Sequence, residues 1–449
     1  MDRPSSGKIL PVLLFLCVIV AVAAWVVLRR TSSPFDGQAA QAPAADLISR
    51  GEYLARMADC VACHSTPESK PFAGGLAMAT PLGRIYTTNI TPDKATGIGD
   101  YLPADFDRAM RRGVARDGHR LYPAMPYPSY AKMSDDDIRA LYAYFMFGVE
   151  PASQPNKPSE IKPPMDMRWP LAFWNALFLD TTPYVAKAGG DKSELWNRGA
   201  YIVQGAGHCG SCHTPRSVAF NEKALDESDS LYVSGALLDG WYAPSLRGDP
   251  NTGLGRWSEE EIQQFLKTGR NRHAVVFGSM TDVINNSTQY LADDDLRAVA
   301  AYLHSLPGDP TRDGPPRRED APAPAGDVRV PGAQVFAAKC SYCHGAEGRG
   351  QGPWIPPLAG SASSMVRQNA SSINVTLNGS SRIVVDGIPD AYRMPPFRNQ
   401  LSDQEVADVL TYVRTAWGNT GGAVKAEDVK QLRDRTNPAS SNVIVLQMR

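Results

Sequence analysis

Six of the seven cysteines occur in three copies of the pattern Cys-x-x-Cys-His. The copies are Cys60, Cys63 and His64; Cys209, Cys212 and His213; and Cys340, Cys343 and His344. Two thiols at this spacing can reach the two vinyl groups on one edge of a haem, and the histidine that follows can then bind the iron. The spacing therefore predicts three covalently attached c-type haems, with these nine residues as their attachment and ligand sites.

Two other kinds of site use paired cysteines, and both fit this sequence less well. Zinc ribbons bring two Cys-x-x-Cys knuckles together, whereas each pattern here is followed directly by histidine and lies far along the chain from the next. A thioredoxin-like dithiol needs a strand before the motif and a helix after it. Here amphipathic stretches such as residues 47–58 and 195–203 precede the motifs, and loops rich in proline and glycine follow. Haem attachment is therefore the favoured interpretation.

The sequence also offers each iron a second ligand, opposite the motif histidine. Met280 is the one methionine between the second motif and the end of its predicted domain. Met125 and Met394 stand at corresponding distances before the last helix of their domains, and each precedes a proline, which favours an extended backbone. We expect all three methionines to bind iron. His/Met ligation raises the haem potential and leaves no open site on the iron, which favours electron transfer over oxygen or peroxide chemistry.

Other side chains compete for these roles. The alternative iron ligands are Met110 and Met133 in the first domain, Met365 in the third, and His273 and His304 as replacements for Met280. His119 and His208, like His304, are expected at the surface or beside the haem. Residues expected next to haem edges or propionates, or else in ordinary salt bridges and core, are Arg84, Arg112, Arg216, Arg247, Tyr86, Trp241 and Trp257.

Length and composition bound the architecture. The 449 residues suit about three domains at ~150 residues each. A formal net charge of −1 gives no indication of a nucleic-acid partner. The 36 prolines and 38 glycines are typical of haem domains in which long loops wrap the cofactor. We therefore predict a mainly α fold with long loops. Three haem motifs in such a fold are typical of three tandem class I cytochrome c domains, and we expect one N-terminal transmembrane helix before them.

Changes in composition mark the domain boundaries. The predicted order is a membrane anchor or signal (1–30), a tether (31–45), domain 1 (46–150), a linker with an apolar segment (151–190), domain 2 (191–309), a second linker (310–330), domain 3 (331–418) and a C-terminal tail (419–449). Residues 168–180 are too aromatic and apolar for a solvated linker. They are expected to pack against a domain, a partner or the membrane surface.

The three domains are repeats of one unit. A helical pattern with a glycine precedes each haem motif, and a last helix at 134–145, 293–306 or 402–415 carries a tyrosine at the same place. The glycines are Gly51, Gly199 and Gly332, and the tyrosines are Tyr144, Tyr302 and Tyr412. Because glycine has no side chain, we expect the two helices to cross closely at that residue. Ser134 and Ser402 are predicted helix caps, and Asp293 takes that role in the second domain.

An uncharged apolar run covers residues 9–28, between Lys8 and Arg29. Twenty residues span ~30 Å as a helix, about one bilayer core. A cleaved secretory signal is the alternative, with its cleavage site at residues 21–23, but the run continues to Leu28 and favours a retained anchor. Because c-type haem is attached outside the cytoplasmic membrane of bacteria, we expect an inner-membrane protein whose haem domains face the periplasm.

The chain resembles the tri-haem cytochrome c subunits of membrane-bound periplasmic dehydrogenases, which include alcohol, aldehyde, gluconate and fructose dehydrogenases. The haem motifs and the segments at 51–54, 240–244, 357–360 and 394–397 carry this resemblance. It implies an electron-transfer subunit that is not itself an enzyme. Such a subunit takes electrons from a catalytic dehydrogenase subunit that oxidises an alcohol or aldehyde, and passes them to ubiquinone in the membrane.

The same sequence features fit other functions. Residues 275–282 are more similar to cytochromes paired with molybdenum-dependent aldehyde or hydroxylating dehydrogenases, so the partner is undecided. A cytochrome that feeds a terminal oxidase would share the same features. A multihaem peroxidase would require one iron with an open site. A zinc-binding structural protein is the least favoured of these interpretations.

Overall fold

A computed structural model describes residues 17, 21, 25–27, 31–80, 82–190, 192–238, 240–317 and 330–436. Helices separated by long loops dominate this part of the chain, and its strands are two to four residues long. The membrane anchor predicted at residues 9–28 lies mostly outside the described residues. Among the residues that are described, no helix is both long and apolar enough to cross a membrane.

The first unit comprises residues 45–148. Its helices are α1 (Ala45–Met57), α2 (Cys60–Cys63), α3 (Pro103–Arg112), α4 (Tyr127–Tyr130) and α5 (Asp135–Ala143), and α5 continues into a π-helical turn (Tyr144–Gly148). Strands β1 (Ala77–Thr80) and β2 (Gly83–Tyr86) form an antiparallel hairpin, to which β3 (Glu160–Ile161) adds a third strand. As predicted, Ser134 caps α5, because its side chain accepts a hydrogen bond from the Asp137 N–H. Such a cap contributes ~1 kcal/mol.

The apolar segment at 168–180 packs against both neighbouring parts of the chain. It contains α6 (Leu171–Phe178). The Asn175 side chain accepts a hydrogen bond from the Tyr127 hydroxyl (2.8 Å) and donates one to the Arg112 carbonyl (2.9 Å). On the other side, the Trp174 indole donates to the Ala219 carbonyl (2.8 Å). The segment therefore covers protein on one face, as expected from its composition.

The second unit comprises residues 194–304. Its helices are α7 (Glu194–Gln204), α8 (Gly210–His213), α9 (Glu259–Thr268), α10 (Met280–Asn286) and α11 (Asp293–His304), with a 3₁₀ turn at Thr288–Tyr290, and α12 (Pro310–Asp313) follows the unit. Strands β4 (Ala236–Leu238) and β5 (Trp241–Ala243) pair as a hairpin. The prediction that Asp293 caps α11 is wrong, because Ala292 occupies the cap position and Asp293 is the first helical residue. Its carboxylate and the two that follow instead favour the helix through the dipole of the first turn.

The third unit comprises residues 331–435. Its helices are α13 (Pro331–Lys339), α14 (Ser341–His344), α15 (Ala362–Met365), α16 (Ala370–Asn378), α17 (Asp403–Thr415) and α18 (Ala426–Arg435), and β6 (Val384–Val385) pairs with β7 (Ile388–Pro389). Ser402 and Glu405 form the predicted capping box of α17. Helix α18 lies within the segment assigned from sequence to a tail. Val429 and Leu432 of α18 are buried, so this helix belongs to the core of the unit.

The predicted helix crossing occurs in all three units. Helices α1 and α5, α7 and α11, and α13 and α17 pack together through a glycine on the first helix of each pair. A Cβ atom added to Gly51, Gly199 or Gly332 would lie 2.0, 1.9 and 2.0 Å from the carbonyl oxygens of Ala140, Ala298 and Asp408, respectively. The Cβ atoms of Tyr144, Tyr302 and Tyr412 would also be too close, at 2.6, 2.8 and 2.9 Å. No side chain can therefore be accommodated at these three positions, and the glycines allow the two helices of each pair to approach this closely.

The first two units share a single apolar core, whereas the third unit has its own. The shared core also contains Phe35, which is 1% exposed. Phe35 belongs to residues 31–45, assigned from sequence to a tether, and the Arg108 side chain holds the start of that segment through the Thr31 carbonyl (2.8 Å). Part of this segment therefore packs on the first unit.

Candidate haem-binding sites

Each Cys-x-x-Cys-His motif lies on or beside a single helical turn. These turns are α2, α8 and α14, and each follows the long first helix of its unit. Residues three apart on a helical turn share one face, so the two thiols of a motif point to the same side. The arrangement presents two thiols and one imidazole together, as covalent attachment of a haem requires.

The motif histidines are held by backbone carbonyls. The Nδ1 atoms of His64, His213 and His344 lie 2.7, 2.7 and 3.0 Å from the carbonyl oxygens of Thr88, Pro244 and Pro356. A carbonyl oxygen only accepts, so Nδ1 carries the proton and Nε2 has the lone pair. Burial lowers the pKa of all three imidazoles, although the carbonyl contact acts in the opposite direction. A neutral ring with a free Nε2 is the form that binds iron.

Burial raises the pKa of the leading thiol in each motif. The pKa of Cys209 rises to about 12 and that of Cys340 to about 11, and Cys60 is shifted in the same direction. A redox-active dithiol needs the opposite shift, because the thiolate is the reacting species. Burial therefore disfavours the thiolate form at these cysteines, which does not fit the thioredoxin-like alternative.

The predicted methionine ligands are placed with the motifs. Met125, Met280 and Met394 all line the cavity that the motif residues line. Met125 precedes α4, and Met280 is the first residue of α10. Met394 is fixed on both sides of its backbone by Ser380, whose side chain accepts from the Met394 N–H (3.0 Å) and whose N–H donates to the Met394 carbonyl (3.0 Å).

This cavity is continuous across the three units. It has a volume of about 1910 Å³ and is lined by residues of all three motifs. A pocket for one drug-sized ligand measures about 300–1,000 Å³. The donor set, with thiols, a neutral imidazole and a thioether around one apolar cavity, fits covalently bound haem at each motif.

Only some of the competing ligands share the cavity with the motifs. Met133 and Met365 are buried in the protein core and do not line the cavity, whereas Met110 lines it from within α3. His273 also lines the cavity, where it stacks on Trp257 and its Nε2 lies 3.2 Å from a Glu261 carboxylate oxygen. His304 is half exposed on α11 near Glu259.

Of the residues expected beside the haem, four line the cavity, namely Arg216, Tyr86, Trp241 and Trp257. Arg84 instead pairs with Glu160, and the buried Arg247 donates to the carbonyls of Tyr232 and Pro307. Met165 and Met167 of the first linker also line the cavity, which the sequence did not indicate.

His208 was expected at the surface or beside the haem, and it is half-buried between the first two units, where it lines the cavity. Its Nε2 donates to the Ala58 carbonyl (3.2 Å), which also accepts from the Tyr130 hydroxyl (3.3 Å). Ala58 stands two residues before Cys60, and His208 directly precedes Cys209. This contact therefore joins the chain segments that lead into two motifs. No local sequence pattern reveals it, because its partners are 150 residues apart.

The helical units and their motifs define a c-type cytochrome, and comparisons with known proteins agree. The Cytochrome c family model matches residues 48–146 and 330–417. The chain is 47% identical over 412 residues to the cytochrome c subunit of alcohol dehydrogenase (quinone) from Gluconacetobacter polyoxogenes, covering 90% of this chain and 88% of that protein. It is 49% identical over 395 residues to the gluconate 2-dehydrogenase cytochrome c subunit from Pantoea cypripedii, covering 86% and 89%.

A third relative is the fructose dehydrogenase cytochrome subunit from Gluconobacter japonicus, 36% identical over 415 residues, with 86% of this chain and 82% of that protein covered. The chain belongs to the family of cytochrome c subunits of dehydrogenase complexes. It is therefore an electron-transfer subunit rather than the catalytic subunit of such a complex.

Proposed function

We propose that the chain carries three covalent haems and transfers electrons from a catalytic dehydrogenase subunit to ubiquinone. The proposed iron ligands are His64 with Met125, His213 with Met280, and His344 with Met394. The attachment residues are Cys60 and Cys63, Cys209 and Cys212, and Cys340 and Cys343. When bound, the haems supply carriers for single electrons.

One observation carries this proposal. The same set of groups recurs three times, with paired thiols on one helical turn, an imidazole held at Nδ1 by a carbonyl, and a methionine in the shared cavity. It recurs in the second unit, which the family model does not match. The helices α7 and α11 cross at Gly199 in the same way as the helix pairs of the first and third units cross at their glycines. This likeness supports a third cytochrome domain there.

The proposed partner is a periplasmic subunit that oxidises an alcohol or an aldehyde. Support comes from the relatives, two of which are named for the oxidation of alcohols and of gluconate. The proposed location is the bacterial inner membrane, with the haem units in the periplasm. The apolar run at 9–28 supports an anchor, and proximity to the membrane suits ubiquinone as the acceptor.

Purification from membranes tests this proposal. Gentle detergent extraction should yield this chain together with a larger dehydrogenase subunit, and the complex should reduce a soluble ubiquinone analogue when the substrate of that subunit is added. Isolation with a terminal oxidase instead, or failure of the intact complex to reduce the quinone analogue, would contradict the proposed role.

A ligand substitution tests the second site. Met280→His should lower one haem potential and leave the other two unchanged, because imidazole stabilises oxidised iron more than a thioether does. Three unchanged potentials in a redox titration would remove Met280 as a ligand.

A further inference from the structure

The loop that carries Met394 does not rest on its own unit alone. This Met394 loop (residues 380–394) contains the β6–β7 hairpin, which turns at Asp386 and Gly387, both with positive φ (51° and 75°). Two successive positive φ values are typical of a tight type I′ hairpin. At its base, Ser380 and Met394 are joined by the hydrogen bonds described above. The hairpin projects from that base toward the second unit.

Two side-chain amides of the second unit hold the outer edge of β6. Asn285 donates to the Arg382 carbonyl (3.0 Å) and accepts from the Val384 N–H (2.8 Å). Gln289 donates to the Val384 carbonyl (2.8 Å) and accepts from the Asp386 N–H (3.0 Å). Each carboxamide supplies one donor and one acceptor, so together they pair with the strand as a neighbouring strand would.

The Gln289 amide is itself fixed in place. Gln289 is 5% exposed, and its amide nitrogen also lies 2.7 Å from the Asn285 carbonyl oxygen. A buried amide with all its partners in position holds one orientation, because an alternative orientation would leave polar atoms unsatisfied. Gln289 therefore presents a fixed donor and acceptor to β6.

Apolar and charged contacts extend the same attachment. Ile383 is 3% exposed and packs with Val276 and Ile284 of the second unit, in a cluster that Met280 also contacts. Farther along the loop, Asp390 pairs with Arg270 of the second unit at 2.8 Å, and both side chains are largely buried. The Asp390 N–H donates to the Ile383 carbonyl (2.8 Å), which links this ion pair to β6. Met394 follows Asp390 by only four positions.

We propose that Asn285 and Gln289 are positioning residues for Met394, so that the second unit sets the thioether ligation of the third iron. This inference rests on the proposed function, in which Met394 is that ligand. It also couples two sites, because Met280 begins the helix whose last turn bears Asn285 and whose apolar face meets Ile383.

The experiment uses the full-length holoprotein with its haems attached. The double variant Asn285→Ala, Gln289→Ala should lower one of the three midpoint potentials, because loss of the thioether favours oxidised iron. The near-infrared methionine-to-iron charge-transfer band should weaken in the same titrating component. Covalent haem content should stay at the wild-type value. Asn285→Asp keeps the acceptor for Val384 but loses the donor, so it should give a smaller shift of the same potential.

The control is Asn286→Ala, on the same helix, whose side chain makes no hydrogen bond among the described residues. It should leave all three potentials in place. If the double variant does not fold, the Asn285→Asp titration decides the matter. If the double variant folds, three unchanged potentials in it overturn the inference. If it does not fold, three unchanged potentials in Asn285→Asp do so.

A parallel variant separates this inference from the proposed function. Met394→Ala should lower the same potential that the amide variants lower. If Met394→Ala changes no potential, the ligand assignment fails. If it lowers one potential and the amide variants lower none, only the positioning role fails.

Discussion

The first two units pair through a reciprocal contact that the third unit does not make. The Tyr53 hydroxyl donates to Asp295 (2.6 Å), which Arg198 of the second unit binds through two nitrogens (2.7 and 2.8 Å). The mirror contact joins Tyr201 of the second unit to Asp137, which Arg50 of the first unit binds. Each unit therefore supplies a tyrosine to the other unit's arginine–aspartate pair.

The third unit differs at each of these positions. Counting from the crossing glycine and the helix tyrosine, it has Pro331 in place of the arginine, Gln334 in place of the tyrosine and Glu405 in place of the aspartate. Glu405 serves instead as part of the cap of α17. Repeats with the same fold thus differ in how they contact their neighbours because of a few residue changes. The third unit attaches through other contacts.

Some of those other contacts are hydrogen bonds from the third unit's side chains to the second unit's backbone. Ser371 on α16 bonds to both the N–H and the carbonyl of Tyr242 on β5, at 2.8 and 3.0 Å. Asn374, one turn later on α16, donates to the Gly240 carbonyl (3.2 Å). The first two units share one core. The third unit is joined to them by the hydrogen bonds of Ser371 and Asn374 and by the Met394 loop.

The largest expected effect comes from breaking a helix crossing. Gly199→Val should destabilise the fused pair by about 3 kcal/mol or more, since α7 and α11 must move apart to admit the side chain. Gly332→Val should cost a similar amount but should affect the third unit alone. Both effects can be measured by limited proteolysis at increasing urea concentrations, which shows at what concentration each unit is cleaved. Loss of all three units together in either variant would contradict the division into a pair and a separate third unit.

Removing one carboxylate of the reciprocal contact should have a smaller effect. Asp295→Ala leaves a partly buried guanidinium and the Tyr53 hydroxyl without their partner, which costs about 2–3 kcal/mol in the unfolding of the pair. Asp294→Ala is the matched control, because that neighbouring carboxylate is exposed and pairs only locally with Arg297. Equal denaturation midpoints for the two variants would show that the contact does not stabilise the pair.

The smallest expected effect is a change in the stability of the paired units with pH. Burial alone would raise the pKa of Asp295, but hydrogen bonds from Arg198 and Tyr53 lower it overall. A carboxyl whose pKa is depressed by folding contributes stability above its unfolded value, near 3.9, and loses it as the pH falls through the folded value. The urea midpoint of the pair should therefore fall below about pH 4. Asp295→Asn should flatten this part of the profile, and an unchanged profile would contradict the assignment.

The sequence predicts the repeated parts of the molecule well. The crossing of the helix pairs follows from one glycine and one tyrosine per repeat, and the structure confirms it in every unit. The serine caps were likewise predictable, because their partners lie three residues away. Asp293 was misassigned because three acidic residues in succession provide no local signal that singles out a cap.

Contacts between units could not be predicted in the same way. Tyr53 meets Asp295 across 242 positions, and nothing near either residue indicates the other. The attachment of the Met394 loop likewise depends on Asn285 and Gln289, which are ordinary polar residues in a helical sequence. Local sequence patterns are enough to predict helices and haem motifs. The arrangement of the units depends on contacts between residues far apart in the chain, and a single sequence gives no sign of which residues meet.

The central claim is that the second unit is a haem domain equivalent to its neighbours. The most direct test is the intact mass of the chain purified from its native membrane, compared with that of a Cys209→Ala, Cys212→Ala variant. We expect the mass of three covalent haems on the native chain and of two on the variant. Two haems on the native chain, with no change in the variant, would contradict it.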